Sequence, residues 1–509
     1  MQSRPWTHLL AAFILLSATD LAHTTPVPPG QLVPTFGVNG IASVAFDMPG
    51  ESAADSGRAI VLQGGSPLNP GSGKLLVAGM AGSHVGIARL SYTSGQLDPT
   101  FGNGGRAVST RSNVTSFAGM VLMPNGDIVI AYSDEFLGDG DSKDFFIEVF
   151  TADGQPKDVG GDEVPNQRWV DFSNSNDDFG TPCVELYRDS AAHTLLLTTQ
   201  GGIVVGGDVL MPNFGFPFRA AISAEFNGGT YSPARPSPET CFSAGGNGGY
   251  GYGPLQVRAG VAVGPQLIYL GGSDGAADAR HKLVDLTSPD SNPYGASVGG
   301  YWSDRNSAFS RVVFEQNIGS LLLLGDGESN FVGGGLQRSP MIATGSSVSV
   351  DPHWFYAAGA AANSSISVHA GQRVIGSNSI VVVGSAHDCT TANACVADDN
   401  SFVIGLSNGN IVFNVYDPDT RFGSQGWARL RVPLTVGSNS PKANGWQVLI
   451  SGGVSFSQDT EAFVVGDFKT NSLPASADTD FLVARVRLAN GDDGIFVPAD
   501  TIFRNGFEQ

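Results

Sequence analysis

The sequence predicts an all-β protein, a β-propeller of about seven blades with three to four antiparallel strands in each. Three observations predict it. A short phrase recurs after 65 residues, seven short apolar strands ending at Gly or a polar residue are spread along the chain, and no amphipathic helix of a dozen residues follows the N-terminal leader.

The phrase is Leu-Val-Pro-Thr-Phe-Gly-Val-Asn-Gly at 32–40 and Leu-Asp-Pro-Thr-Phe-Gly-Asn-Gly-Gly at 97–105, with a degraded copy at 417–426 around Phe422-Gly423. The apolar strands are 74–79, 127–131, 203–207, 268–272, 321–325, 380–384 and 463–467. Each is too short for a helix and rich in β-branched residues, so each reads as a buried strand. A third element at 85–90, 145–150, 401–406 and 480–486 alternates polar and apolar residues, as a half-buried outer strand does. Pro124-Asn125-Gly126-Asp127 and Asn408-Gly409 read as hairpin turns, because Asn-Gly accepts the positive φ angles a tight hairpin needs. Seven units of about 65 residues fill 34–491; six or eight blades also fit the spacing. Radial packing protects sheet edges, whereas a string of sandwich domains needs roughly 100 residues per domain. Ring closure is expected to come from residues 41–46, an apolar strand with no earlier partner. They should pair into the sheet containing 463–467 and 480–488.

Composition bounds the function. Of 509 residues 68 are Gly and 29 Pro, 41% are apolar, 15% are charged, and the net charge is −20. This is too apolar and weakly charged for disorder, and it lacks the basic footprint of a nucleic-acid or anionic-membrane binder. Residues 1–23 read as a secretory signal, with Arg4 before an apolar centre at 9–16 and small residues Ser17, Ala18 and Ala22. That centre is too short to span a bilayer, so the mature chain is expected to be secreted or surface-exposed without a membrane span. Residues 24–31 form a linker and 32–491 the propeller. The tail 492–509 reads as a sorting tag or as a strand closing the last blade.

The four cysteines, Cys183, Cys241, Cys389 and Cys395, fit an oxidising compartment and allow three pairings. Cys389 and Cys395 flank a short polar loop and are expected to bridge, leaving Cys183 with Cys241. No Cys-x-x-Cys pair favours zinc.

Residues 97–105 together with 120–131 resemble the bacterial delta-60 repeat, whose pattern is a Leu-Asp-x-x-Phe-Gly start, a strand, Pro-Asp-Gly-Lys and a second strand. The match covers 32–154 closely and fades towards 491. The resemblance implies a secreted or surface-exposed propeller, and the family brings no catalytic residues.

Motifs of chemistry read blandly here. Gly405-Leu406-Ser407-Asn408-Gly409 has the Gly-x-Ser-x-Gly spacing, but a strand follows where a nucleophile elbow needs a helix. Gly246–Gly251 matches Gly-x-Gly-x-x-Gly inside a Gly/Pro loop with no helix to receive phosphate. Asp139, Asp141 and Asp144 alternate as calcium ligands do, but the loop lacks the Gly and Glu of a calcium hand. Tyr301-Trp302-Ser303-Asp304 occurs once instead of in every blade, and His84, His193, His281, His353, His369 and His387 show no metal-binding spacing. No catalytic, cofactor or metal residue is assigned. The leading expectation is a non-catalytic propeller that binds an extracellular protein or glycan. The alternative is a secreted hydrolase or quinone-type dehydrogenase working in the central funnel.

Overall fold

The computed structural model describes residues 26–49, 54–65, 72–135, 143–157, 167–170, 190–199, 201–210, 218–225, 233–234, 256–264, 267–273, 279–285, 295–297, 307–315, 320–330, 336–346, 349–354, 364–374, 377, 379–391, 394–410, 415–424, 426–430, 443–451, 459–469 and 478–489. The leader, the tail, Cys183, Cys241, Gly246–Gly251, Asp139, Asp141 and Tyr301–Asp304 lie outside these residues. Among the described residues there are seven antiparallel sheets and no helix.

Blade 1 is Asp55–Gln63, Lys74–Ala81, His84–Ser91 and Arg106–Val108. Blade 2 is Val114–Leu122, Ile128–Glu135, Lys143–Phe150 and Gln167–Val170. Blade 3 is Ser190–Leu197, Ile203–Leu210, Phe218–Glu225 and Pro233–Ala234. Blade 4 is Gln256–Ala262, Leu267–Ser273, Ala279–Asp285 and Gly295–Ser297. Blade 5 is Ala308–Glu315, Ser320–Asn330, Leu336–Ser346 and Ser349–Trp354. Blade 6 is Ser364–Arg373, Ile380–Thr391 and Ala394–Asn410, whose outer side carries both Val415–Pro418 and Trp427–Leu430. Blade 7 is Ala443–Ser451, Thr460–Lys469 and Thr479–Ala489, with Ile41–Val44 from the start of the chain as its outermost strand.

The first strand of each blade packs on the first strand of the next, and the series returns from blade 7 to blade 1. The seven units are thus a closed propeller whose first strands enclose an axial channel. The core lies between blades. Leu76, Ile130 and Phe146 fill the layer between blades 1 and 2, and Val44, Ile60, Phe463 and Phe481 that between blades 7 and 1. The seven apolar strands recognised in the sequence are the second strands, sheathed on both sides.

Closure is as expected: Ile41 pairs with Ala484 and Val44 with Phe481. The recurring phrase explains it, because each copy is the turn that leads into an outermost strand. Phe36, Phe101 and Phe422 are fully buried, and the N–H of Gly40, Gly105 and Gly426 donates to the carbonyl of the Phe four residues back, at 2.8, 2.8 and 2.9 Å. The glycine after each Phe has φ of +54°, +51° and +53°, where a side chain is strained. The same glycines carry blade-to-blade bonds: Gly37 N–H donates to Ser94 O of blade 1, and Gly102 N–H to Asp153 O of blade 2, both at 2.8 Å. The backbone equates Asp419, not Asp417, with Asp98, since the Phe N–H three residues on donates to each carbonyl. In the copy of blade 1, Asp98 also accepts from Thr100 N–H and Oγ1. Those bonds, with Arg89 and Lys74 beside it, hold its carboxyl at about 2.

Two sequence expectations are corrected. The strands at 85–90, 145–150, 401–406 and 480–486 are third strands, not outer ones, because a fourth strand covers each. His84–Ser91 is accordingly buried along both faces, and Arg89 reaches Asp98 at 3.1 Å instead of solvent. Asn408-Gly409 is no hairpin tip: both residues continue the long strand Ala394–Asn410, paired with Asp417 and Tyr416, because a fourth strand is present for them to pair with.

Cys389 and Cys395 stand directly opposite each other in the ladder between Ile380–Thr391 and Ala394–Asn410. Opposed Cα atoms of an antiparallel pair are about 4.5–5.5 Å apart, within the reach of a disulfide. Non-reducing peptide mapping of the chain is expected to recover a Cys389–Cys395 bridge; both thiols alkylated without reduction would count against it.

Candidate functional site

Each first strand carries a β-bulge at one equivalent position. The residues skipped in the pairing are Arg58, Ala118, His193, Arg258, Ser310, His369 and Trp446, one per blade. A bulge re-aims a side chain and leaves it outside the ladder. Burial shows the effect in blades 1, 3, 4 and 6: the residues on either side of Arg58, His193, Arg258 and His369 are buried, while Arg258 is exposed and the other three are partly exposed. Arg58, His193, Arg258 and His369 are thus turned out of the ladder at one level, whereas Ala118 packs on the layer between blades 2 and 3.

The second strand is shaped to accept the bulge. Gly79, Gly207, Gly272, Gly325, Gly384 and Gly466 lie opposite it, and a Cβ on any of them would overlap the carbonyl oxygen of Ser56, Ala191, Gln256, Ala308, Ser367 or Asn444 respectively. Blade 2 alone has a side chain there, Tyr132, and its first strand carries a second register shift nearby. Tyr132 is buried with its hydroxyl on Glu148 (3.1 Å), and burial, then that carboxylate, push its pKa well up.

The residue after this position is polar in six blades: Ser133, Asp208, Ser273, Asp326, Ser385 and Asp467. These side chains stitch the inner rim. Ala192 N–H donates to Ser133 Oγ (2.7 Å) and Val368 N–H to Asp326 Oδ2 (3.0 Å), both across a blade boundary. His193 Nε2 lies 2.7 Å from Asp208 Oδ1. Asp467 accepts from Ser56 Oγ and Asn444 Nδ2, each at 2.9 Å, and from Trp446 Nε1. His369 Nε2 meets Ser385 Oγ (3.1 Å), which donates to Asn444 Oδ1 (2.8 Å).

Three bulged residues stack across blades 1, 7 and 6. The Arg58 guanidinium lies 3.4 Å over the Trp446 ring, and His369 and Trp446 have ring centroids 4.1 Å apart. Gln447 of blade 7 takes the N–H of Ile60 (2.6 Å), and Gln372 of blade 6 takes that of Ile450 (3.3 Å), so first-strand backbone groups are partly satisfied by side chains of the preceding blade.

Of the histidines set aside in the sequence, His193 and His369 belong to this level. His84 meets Ser109 O (3.2 Å) away from it. His281 is buried against Tyr269, and that burial lowers its pKa to about 4. Side chains of His353 and His387 lie outside the described residues. Ser407 of the Gly-x-Ser-x-Gly run is fully buried and accepts Ile380 N–H (3.1 Å) inside blade 6, which leaves it no role as a nucleophile.

A second polar cluster marks the closure seam. The carboxylates of Asp47, Asp478 and Asp480 lie within 4.8 Å of one another, a spacing one hard cation can bridge. Asp55 sits beside them with Oδ2 accepting Phe46 N–H (2.7 Å). Burial first, then the neighbouring carboxylates, raises Asp55 and Asp480 to about 6. Between pH 3.8 and 6 the folded chain therefore holds protons that the unfolded chain releases. The seam stabilises fully at the acid end and loses that contribution as pH rises through about 6. Asp480→Asn is expected to raise Tm at pH 7.5 and to have no effect at pH 4 in melts followed by circular dichroism; an effect constant with pH would contradict the assignment.

No protein-family model matches the chain, and no curated protein does. Solved structures do. An ulvan lyase of polysaccharide lyase family PL25 aligns over 91% of this chain and 99% of its own at 10% identity, TM-score 0.39. An α-L-arabinanase of Penicillium chrysogenum aligns over 72% and 92% at 9% identity, TM-score 0.33. The sialidase of Trypanosoma rangeli aligns over 75% of this chain and 56% of its own at 12% identity, TM-score 0.32.

Proposed function

We propose that this chain is an exported propeller of the delta-60 repeat type that binds an extracellular protein or glycan in its axial channel without turning it over. One observation carries the reading: a bulge repeated in all seven blades turns Arg58, His193, Arg258 and His369 out of a buried ladder at one level. Repetition of a backbone device whose cost falls on six glycines is hard to assign to packing, because the bulged residues are the open ones. Asp467, beside the stack, is occupied by three donors, which suits a role in holding the wall more than one in proton transfer. The leader at 1–23 supports export.

The His193–Asp208 pair supports the second reading, a hydrolase working in the funnel, because a carboxylate-oriented imidazole is a general base. The secreted chain should be passed over immobilised extracellular polysaccharides and proteins while the eluate is assayed for fragments. Retention without fragments, lost in Arg258→Trp, which puts an indole at the exposed bulge of blade 4, is the expected result. Fragment release abolished by His193→Ala would establish the second reading instead.

A further inference from the structure

Segments from the two ends of the propeller meet at the closure seam in a patch of carboxylates. Asp47 follows the closing strand Ile41–Val44, Asp478 and Asp480 lie at the start of Thr479–Ala489 in blade 7, and Asp55 opens the first strand of blade 1. Asp478 and Asp480 are two residues apart in extended chain, so their side chains leave the same face. The backbone fixes blade 1 against them: Ala54 bridges Thr479, and Thr479 Oγ1 donates to Asp55 O (2.8 Å). Ligand oxygens of Asp47, Asp478 and Asp480 come within 4.8 Å of one another. Of the charges that bear most on Asp480, three are carboxylates, and Arg106, whose Nε is given to Ala45 O (2.9 Å), is the weakest.

Acidic groups on a surface gather without an ion, and the cluster alone would name no ligand. Asp55 supplies the second observation. It is 1% exposed, and its Oδ1 is sealed from solvent without a hydrogen-bond partner. Its Oδ2 takes the N–H of Phe46, next to Asp47, while the nearby Gly82 N–H is directed to Ala54 O (3.3 Å). Asp47 and Asp478 are the charges that bear most on this carboxylate, so its orphaned oxygen belongs to the same cluster. A buried carboxylate oxygen among other carboxylates, with no donor, is costly, and one cation removes that cost for all of them at once. A donor set of aspartates alone is the chemistry of a hard cation, and ligands from three separate segments suit the adaptable shell of calcium more than the rigid octahedron of magnesium.

We infer that Asp47, Asp478 and Asp480, with Asp55 behind them, bind one calcium ion that staples the start of the propeller to blades 7 and 1. The ion holds the closing strand from its C-terminal side, and the pairing of Ile41–Val44 with Phe481–Ala484 holds it along its length. Closure of the ring is thereby coupled to calcium.

The test uses the full chain, freed of metal with EDTA and exchanged into chelator-free buffer at neutral pH and constant ionic strength. It is titrated with calcium chloride to about 10 mM, above the range in which extracellular calcium modules fill. Calorimetry is expected to show one saturable site, weakened roughly tenfold or more in Asp47→Asn and in Asp480→Asn. Asp153→Asn, which removes an exposed carboxylate away from the seam, is the control for charge alone and should bind as the natural chain does. Melts separate a bound ion from mere relief of repulsion: Asp480→Asn should melt above the natural chain in EDTA and below it in saturating calcium. Hydrogen exchange reads the position without any variant, since calcium should slow the amides of Ile41–Val44 and leave those of Leu267–Ser273 in blade 4 unchanged. No saturable binding, affinity unchanged in both seam variants, an equal loss in Asp153→Asn, an Asp480→Asn chain that still melts higher in calcium, or exchange at Ile41–Val44 that calcium does not alter, overturns the site.

Discussion

Replacing Gly325 or Gly384 by Ala is expected to destabilise the protein by about 3 kcal/mol, more than most single substitutions. The reason is geometric. Each glycine faces a bulge, and the bulge pushes the carbonyl of Ala308 or Ser367 into the space a Cβ would fill. That carbonyl belongs to a first strand locked between neighbouring blades, so it cannot retreat as a flexible side chain can. The strand must either flatten its bulge, which turns Ser310 or His369 away from the channel, or separate from its partner. Gly264→Ala is the control, because its Cβ would meet Leu267 at an ordinary 3.4 Å. Chemical denaturation should show the midpoint falling for Gly325→Ala and Gly384→Ala with little change for Gly264→Ala. Equal, small effects at all three would mean that the bulge is not rigid.

The second large effect concerns the closing strand. A chain that starts at Gly50 should aggregate or melt without cooperativity, while one that starts at Gln31 should melt like the full chain. The longer chain keeps Phe36, Ala42 and Val44, buried between blades 7 and 1, and Ile41, buried between blades 6 and 7. Burying an Ile, Val or Phe side chain contributes about 1.5–3 kcal/mol each, and deletion also bares the edge of Thr479–Ala489. An exposed edge strand recruits other chains. The loss reaches blade 1 as well, since Phe46 N–H no longer meets Asp55 and Gly37 N–H no longer meets Ser94 O at 2.8 Å. A Gly50 chain that melts as the full chain does would contradict closure by this strand.

Much of this architecture was legible in the residues because it rests on local chemistry. Phe36-Gly37 and Phe101-Gly102 require a buried ring followed by a left-handed glycine, and the unpartnered run at 41–46 had only the last blade left to join. The outer strands of most blades were not legible. Arg106–Val108, Gly295–Ser297 and Pro233–Ala234 are two or three residues long, too short to show a period of two. Their absence from the reading made third strands look like edges. The channel residues were missed for a different reason. Arg58, His193 and Trp446 share neither residue type nor local motif; what they share is a register slip. The signal lay in the opposite strand: Gly-Gly-Asp, Gly-Gly-Ser, Gly-Asp and Gly-Ser endings recur after the apolar runs of blades 3 to 7. A glycine within a strand marks a bulge or a close backbone approach. Counting back fourteen or fifteen residues from it in blades 3 to 6 lands on His193, Arg258, Ser310 and His369.

The central claim is that the bulged residues of different blades share one open channel, and histidine footprinting with diethyl pyrocarbonate tests it without a ligand. Mass spectrometry of the labelled natural chain should show His193 and His369 modified and the buried His281 protected. In Arg258→Trp, with Tm unchanged, modification of both His193 and His369 should fall together while His84, away from the channel, reacts as before. Labelling of His193 and His369 as slow as that of His281, or an Arg258→Trp chain in which both react as in the natural one, would contradict the claim.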